Sequence, residues 1–143
     1  MNLEHGGNID AAARRYNIPA QQWIDLSTGI SPWSWPVPTV PQAIWQTLPQ
    51  ADGRLELVAA AYYGCEPESV LAVPGSQYAL QFTPALLPRG RVAMPWRGYA
   101  EHRLAWRTAG HRIVDYRDAG ALVDLVSDAA VEHALVINPN NPT

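Results

Sequence analysis

Residues 70–137 alternate between short apolar runs and helical stretches, and this alternation restricts the fold more than any other feature. The predicted strands are residues 70–73, 91–94, 113–116 and 134–137, and the helices predicted between them are residues 78–87, 98–108 and 119–126. Alternation at this spacing is typical of right-handed β-α-β units. The sequence therefore predicts an α/β fold with a mainly parallel sheet flanked by helices.

The part of the chain before residue 70 is predicted to contain three helices. One covers residues 9–16, with Asn8 as its cap and Asn17 at its end. A second is opened by Pro41, where the missing N–H costs nothing, and its apolar residues Ala43, Ile44 and Leu48 fall on one face. The third covers residues 54–63. Apolar residues recur along it at the helical period, which predicts an amphipathic helix.

The composition is that of a globular protein and excludes several other classes. Of the 143 residues, 48% are hydrophobic and 16% are charged, and the net charge is −3. The arginines are scattered, so no nucleic-acid surface is expected, and no apolar run approaches the length of a membrane span. Cys65 is the single cysteine, which rules out an internal disulfide and suits a reducing, cytoplasmic environment. The histidines lack the spacing of metal ligands, and we expect no metal site.

A turn between a predicted strand and a predicted helix has the chemistry of a phosphate cradle. Gly75 lets a ligand approach the backbone, and the first N–H groups of the helix point outward at the positive end of its dipole. The Ser76 hydroxyl and the Gln77 amide add two side-chain donors. The same residues also fit an ordinary turn in which Ser76 caps the helix.

The last apolar run, residues 134–137, is predicted to be a strand buried on both faces. It ends in Asn138-Pro139-Asn140-Asn141-Pro142, where the prolines prevent further sheet pairing and the asparagines favour a turn. Ligands of open parallel sheets bind just past the carboxyl ends of the strands. This turn can present an amide donor to a ligand, although an ordinary strand-to-loop exit fits as well.

Residues 138–143 resemble the N-P-x-N-P-T-G motif of fold-type I pyridoxal-phosphate enzymes of the aminotransferase class I/II superfamily. The resemblance implies that Asn141 donates a hydrogen bond to the phenolate oxygen of the cofactor, pyridoxal 5'-phosphate (PLP). It also implies that residues 75–77 hold the cofactor phosphate. Residues 95–102 resemble the aromatic segment of the superfamily, in which Tyr99 would stack on the pyridine ring, although a core tyrosine fits this position too.

The N-terminal part narrows the resemblance to one family. Residues 5–8 read His-Gly-Gly-Asn, and residues 25–32 read Asp-Leu-Ser-Thr-Gly-Ile-Ser-Pro. Both segments resemble the start of threonine-phosphate decarboxylases of cobalamin biosynthesis, where they line the substrate pocket. The resemblance implies four substrate-binding candidates, which are His5, Gly6, Gly29 and Ser31. From the residues alone, His5 also fits a mobile tail.

The sequence contains no lysine, because all ten of its lysine-or-arginine positions are arginine. Enzymes of this superfamily hold the PLP aldehyde as a Schiff base on a lysine, so no catalytic residue is expected in this chain. We therefore expect an N-terminal fragment that is inactive by itself. Residues 1–40 are expected to form an N-terminal arm and substrate-side loop, and residues 41–143 an incomplete large, PLP-binding domain.

The resemblance also implies a set of partners. Relatives often carry a Tyr-Pro pair whose tyrosine reaches across a dimer to the cofactor phosphate, but this sequence has Leu48-Pro49 there, and leucine has no hydroxyl. A homodimer of the full-length protein is still expected. Its small-molecule partner would be a phosphorylated amino acid, with no nucleic acid and no membrane.

The resemblance implies a PLP-dependent lyase that decarboxylates O-phospho-L-threonine to (R)-1-aminopropan-2-yl phosphate. Two alternatives stay open at this point. A histidinol-phosphate-type aminotransferase would share the fold and the cofactor. A non-catalytic α/β module that presents Trp33 and Trp35 to a partner would need no cofactor.

Overall fold

The computed structural model describes residues 6–140. The chain divides into two compact units between Ala51 and Asp52. The functional division expected after residue 40 stays a prediction.

Between residues 6 and 51, the described part of the first unit, there is one α-helix, α1 (Ile9–Tyr16), as predicted. The Asn8 side chain accepts a hydrogen bond from the Ala11 N–H at 3.1 Å, which caps the start of the helix. Asn17 ends it in the left-handed conformation with φ 53°. A 3₁₀ turn, Ala20–Gln22, follows, and the indole N–H of Trp23 then donates to the Ile18 carbonyl at 3.2 Å.

The helix predicted to open at Pro41 is a 3₁₀ helix, Gln42–Gln46, and the prediction of an amphipathic α-helix is wrong. Ile44 and Leu48, which were expected to share its apolar face, are exposed. A short helix without packing on one face is marginal in water. Pro49 also disfavours the helical conformation at the residue before it.

The second unit carries the other four α-helices and the three strands of the described part of the chain. The helices are α2 (Arg54–Tyr63), α3 (Ser76–Leu86), α4 (Ala100–Thr108) and α5 (Ala119–Ser127). The strands are β1 (Arg91–Pro95), β2 (Arg112–Tyr116) and β3 (His133–Ala134). All three strands are parallel, in the order β2-β1-β3. The predicted α/β fold with a parallel sheet flanked by helices is confirmed.

The central strand β1 carries the core. Val92 and Met94 are buried with Trp106 of α4, and Ile113 and Leu135 pack against this cluster. The apolar face of α2 is exposed by contrast, with Val58 71% accessible. Burial within the described chain therefore concentrates at the middle of β1 rather than around α2.

Two strand predictions are wrong. Residues 70–73 form no strand, because no other strand of the described residues lies beside them to complete their hydrogen bonds. The last strand covers only His133–Ala134, not residues 134–137, and Val136 is 63% exposed. Successive residues of an extended chain point to opposite sides, so Leu135 packs against the core cluster whereas Val136 faces solvent. No helix among residues 6–140 is long and apolar enough to cross a membrane.

Candidate functional site

The amino end of α3 forms the first part of the site. Gly75 has φ 85° and ψ 162°, a conformation that is essentially restricted to glycine. Its N–H donates to the Val73 carbonyl at 2.7 Å, and its carbonyl accepts from the Tyr78 N–H at 3.1 Å. This sharp turn starts the helix at Ser76, two residues earlier than predicted. No side chain of the described residues caps the amino end of this 11-residue helix, which is the positive end of its dipole.

Tyr99, which directly precedes α4, forms the second part. Its hydroxyl lies 3.4 Å from the side-chain oxygen of Gln77, and its ring meets His102 edge-on at 6.1 Å. Gln81 and Glu101 join the same two helices, with the Gln81 amide donating to the carboxylate at 2.9 Å. Packing of α3 on α4 thus brings together two segments that are separate in the sequence.

Ser76, Gln77 and Tyr99 line one hollow, which we call the α3–α4 hollow. It is open to solvent, has a volume of about 430 Å³, and Trp106 and Leu135 contribute apolar parts of its lining. Small-molecule sites commonly occupy about 300–1,000 Å³ and combine apolar walls with a few polar groups. The hollow has both features, and it gathers three of the five predicted cofactor-binding residues along its wall.

His102 also lines the α3–α4 hollow and was assigned no role from the sequence. Burial lowers the pKa of His102 below its ordinary value of 6.5. Its imidazole is therefore neutral at neutral pH, and it can both donate and accept one hydrogen bond.

The exit from β3 leads to Asn140, whose side-chain amide donates to the Arg97 carbonyl at 3.0 Å. This contact holds the turn after β3 against the loop after β1. Asn141, the predicted partner of the cofactor phenolate, lies outside the described residues, and its role stays a prediction.

The first unit contains a separate polar cluster around Ser27. The Ser27 hydroxyl accepts a hydrogen bond from the Gly7 N–H at 2.8 Å, and Gly6 lies so close that a Cβ there would be 2.2 Å from the Ser27 carbonyl oxygen. Asp25 accepts from both the Ser27 hydroxyl and the Ser27 N–H, and these bonds lower the pKa of the Asp25 carboxyl. Asp25 and Ser27 line a hollow of about 380 Å³ with Trp23.

Not all of the predicted substrate-binding residues gather at this cluster. Gly6 packs on Ser27, whereas Gly29 has no atom within 4 Å of a built Cβ. The Ser31 hydroxyl is engaged within its own turn, donating to the Trp33 carbonyl at 3.1 Å. His5 lies outside the described residues. Sequence reasoning missed Asp25 and Ser27, although aspartate two residues before serine is a spacing typical of an Asx turn.

No group of three or more potential metal ligands occurs between residues 6 and 140. Leu48, which has no hydroxyl to offer a ligand, is 89% exposed.

The architecture places the chain in a recognisable class. It is an α/β domain with a parallel sheet flanked by helices, in which Gln77 of the first turn of α3 contacts Tyr99. This is the fold expected from the resemblance to fold-type I PLP enzymes. No family model matches the chain.

Three curated proteins, all named threonine-phosphate decarboxylase, match the chain. The one from Pseudomonas aeruginosa is 47% identical over 141 residues, which cover 99% of this chain and 41% of the relative. Those from Sinorhizobium sp and Salmonella typhimurium are 40% and 31% identical, over 42% and 43% of their lengths. The resemblance to threonine-phosphate decarboxylases is therefore confirmed across the chain. The chain spans about two fifths of the length of these relatives.

Proposed function

We propose that the protein carrying this chain decarboxylates O-phospho-L-threonine to (R)-1-aminopropan-2-yl phosphate in cobalamin biosynthesis, with PLP as its cofactor. The observation that supports this most strongly is the 47% identity to a threonine-phosphate decarboxylase over 99% of the chain. The meeting of Ser76, Gln77 and Tyr99 at one hollow adds independent structural support.

The residues at the α3–α4 hollow fit PLP in their chemistry. The cofactor is a phosphate ester of a flat aromatic ring, and the hollow offers a helix amino terminus, a hydroxyl, an amide and a phenol ring. Gly75 adopts a positive φ of 85° that other residues would strain to reach, and the space beside it is open, with no atom within 4 Å of a built Cβ. When bound, PLP supplies a ring that accepts the electron pair left by the departing carboxylate.

The chain's own residues would bind and orient the cofactor and the substrate. Ser76 and Gln77 would donate to the phosphate, and the Tyr99 ring would lie against the pyridine face by offset stacking. Asn141 would donate to the phenolate oxygen. On the substrate side, the candidates stay His5, Gly6, Gly29 and Ser31, to which the Ser27 hydroxyl bound to Gly7 is now added.

The remaining parts of the proposal concern the whole protein. The lysine that carries the cofactor aldehyde would come from outside these residues, because this chain has none. We propose a homodimeric, cytoplasmic enzyme that takes a small phosphorylated amino acid and binds neither nucleic acid nor membrane. The 143 residues alone would be inactive.

The test uses the protein expressed over the full length of its reading frame, supplied with PLP and O-phospho-L-threonine. Release of carbon dioxide with formation of an amino-alcohol phosphate is the expected result. The same protein is assayed in parallel with histidinol phosphate and a 2-oxo acid. Amino transfer without carbon dioxide release would replace the proposal by the aminotransferase alternative. A folded protein that is indifferent to PLP would favour the non-catalytic module.

A further inference from the structure

Trp96, the residue after β1, has two guanidinium groups against its ring. The Cζ atom of Arg97 lies 4.1 Å from the ring centre, and the Cζ atom of Arg117 lies 4.7 Å from it. Both distances fall within the range of about 6 Å over which a guanidinium is attracted to an aromatic face. Arginines that follow two different strands are therefore held at one indole.

The acidic side chains nearest in the sequence are engaged elsewhere. Asp115 accepts from the Arg103 guanidinium at 2.6 Å, and Asp118 accepts from the Ala121 N–H at 2.9 Å to cap α5. Within residues 6–140, neither Arg97 nor Arg117 takes part in an ion pair. Because the two Cζ atoms lie 4.1 and 4.7 Å from the same ring centre, their separation does not exceed the Debye length of about 8–10 Å, and the two positive charges repel each other. An anion bound near both guanidinium groups would relieve this repulsion.

The backbone around these arginines is fixed by hydrogen bonds between strand ends. The Trp96 N–H donates to the Tyr116 carbonyl at 3.0 Å, and the Tyr116 hydroxyl donates to the Leu135 carbonyl at 2.9 Å. The Asn140 amide donates to the Arg97 carbonyl at 3.0 Å. All three strand ends are therefore joined, which lowers the entropy lost when a ligand binds there.

The same residues enclose a small hollow of about 140 Å³, lined by Trp96, Arg97, Tyr116, Arg117 and Asn140. It lies well below the range of about 300–1,000 Å³ that is typical of whole cofactors, so it suits a single small anionic group. Planar guanidinium forks match the oxygens of phosphate, and ligands of parallel sheets bind at this end of the strands. We propose that this hollow binds a phosphate group, either free or as the monoester of a small molecule.

This site is separate from the turn at residues 75–77. Neither Arg97 nor Arg117 lines the α3–α4 hollow, and neither was a candidate from the sequence. The inference therefore does not depend on the proposed decarboxylation.

The direct test is equilibrium dialysis of radiolabelled inorganic phosphate at constant ionic strength, with the protein expressed over the full length of its reading frame. The titration is made with one equivalent of PLP, which avoids an excess of a competing phosphate monoester, and again without PLP, so a protein that binds no PLP still reports on the site. Saturable phosphate binding that Arg117→Gln weakens about tenfold or more is the expected result, since a hydrogen bond to a charged group contributes about 1.5–3 kcal/mol.

Arg112→Gln is the matched control, because Arg112 begins β2 and Arg117 follows its end, and both changes remove one positive charge. The control should bind phosphate within about twofold of the wild type. Equal weakening by both substitutions, or no saturable binding by the wild type, would overturn the proposal.

A second pair of variants tests whether phosphate binding needs the aromatic ring of Trp96. Trp96→Leu should weaken binding several-fold and Trp96→Phe much less, because only phenylalanine keeps an aromatic face. Equal loss in both variants would count against the cation–π arrangement.

O-phosphoethanolamine and unlabelled phosphate are then compared as competitors. Stronger displacement by the ester assigns the site to a monoester and the reverse to free phosphate, whereas displacement by neither contradicts the site.

Discussion

The hydroxyl of Tyr99 lies 3.4 Å from the side-chain oxygen of Gln77, although 22 positions separate them in the sequence. Gln77 belongs to the first turn of α3, and Tyr99 precedes α4. The contact thus joins a helix terminus suited to phosphate with an aromatic ring suited to a flat cofactor. The proposed PLP site depends on this juxtaposition more than on either segment alone.

The close contact between Gly6 and Ser27 predicts a specific sensitivity in the first unit. Gly6→Ala places a Cβ 2.2 Å from the Ser27 carbonyl oxygen, so one of the two segments must shift. The hydrogen bond from the Gly7 N–H to the Ser27 hydroxyl should then weaken, and amide exchange at Gly7 should accelerate about tenfold or more. Hydrogen-exchange mass spectrometry measures this.

Gly29→Ala is the matched control for that substitution. No atom lies within 4 Å of a built Cβ at Gly29, so the exchange at Gly7 should stay at the wild-type rate. If Gly6→Ala behaves as Gly29→Ala does, the described packing of the first segment on Ser27 is wrong.

The buried indole of Trp106 predicts where the stability of the second unit lies. Trp106→Ala removes the largest member of the cluster with Val92 and Met94, and should reduce the free energy of unfolding by about 3–5 kcal/mol. Trp33 is 85% exposed, and Trp33→Ala should change the free energy of unfolding by no more than about 0.5 kcal/mol. Urea denaturation followed by circular dichroism compares the two. Similar losses would contradict the assigned core.

The contact between Arg91 and Glu132 predicts a dependence of stability on acid. Hydrogen bonds from the Arg91 side chain, and then from its backbone N–H, lower the pKa of Glu132 from 4.5 to about 2. Because the folded state holds the carboxylate below the unfolded pKa, this stabilisation is present above pH 4.5 and is lost as the pH falls towards 2.

Glu132→Gln should therefore lower the melting temperature at neutral pH and make it fall less steeply between pH 4.5 and 2. Glu68→Gln is the control, because Glu68 is exposed and forms no ion pair within residues 6–140. Thermal denaturation at a series of pH values measures both variants. An unchanged acid profile in Glu132→Gln would show that this pair does not couple β1 to β3.

The sequence was sufficient to predict a helix or strand that depends mainly on its own residues. Asn8 caps the start of α1 and Asn17 ends it, as predicted, and Gly64 ends α2 with φ 69°. The alternation of strands and helices was likewise enough to predict the parallel sheet. Caps and periodicity are local properties, so they can be read without knowing what the element packs against.

The failures concern residues whose state depends on distant neighbours. Residues 70–73 have strand composition but no adjacent strand in the described chain. Val136 is exposed because its neighbour Leu135 takes the side of the chain that faces the core. The Ser27 cluster and the two arginines at Trp96 were missed for the same reason. Each assembles from segments about 20 residues apart, and spacing does not reveal such contacts.

The most direct test of the central claim is the dissociation constant for PLP in variants of the protein expressed over the full length of its reading frame. Ser76→Ala removes a donor to the phosphate and Tyr99→Leu removes the stacking ring, so each should weaken PLP about tenfold, whereas Tyr99→Phe should stay within about twofold. Wild-type affinity in both Ser76→Ala and Tyr99→Leu would show that the α3–α4 hollow does not hold the cofactor.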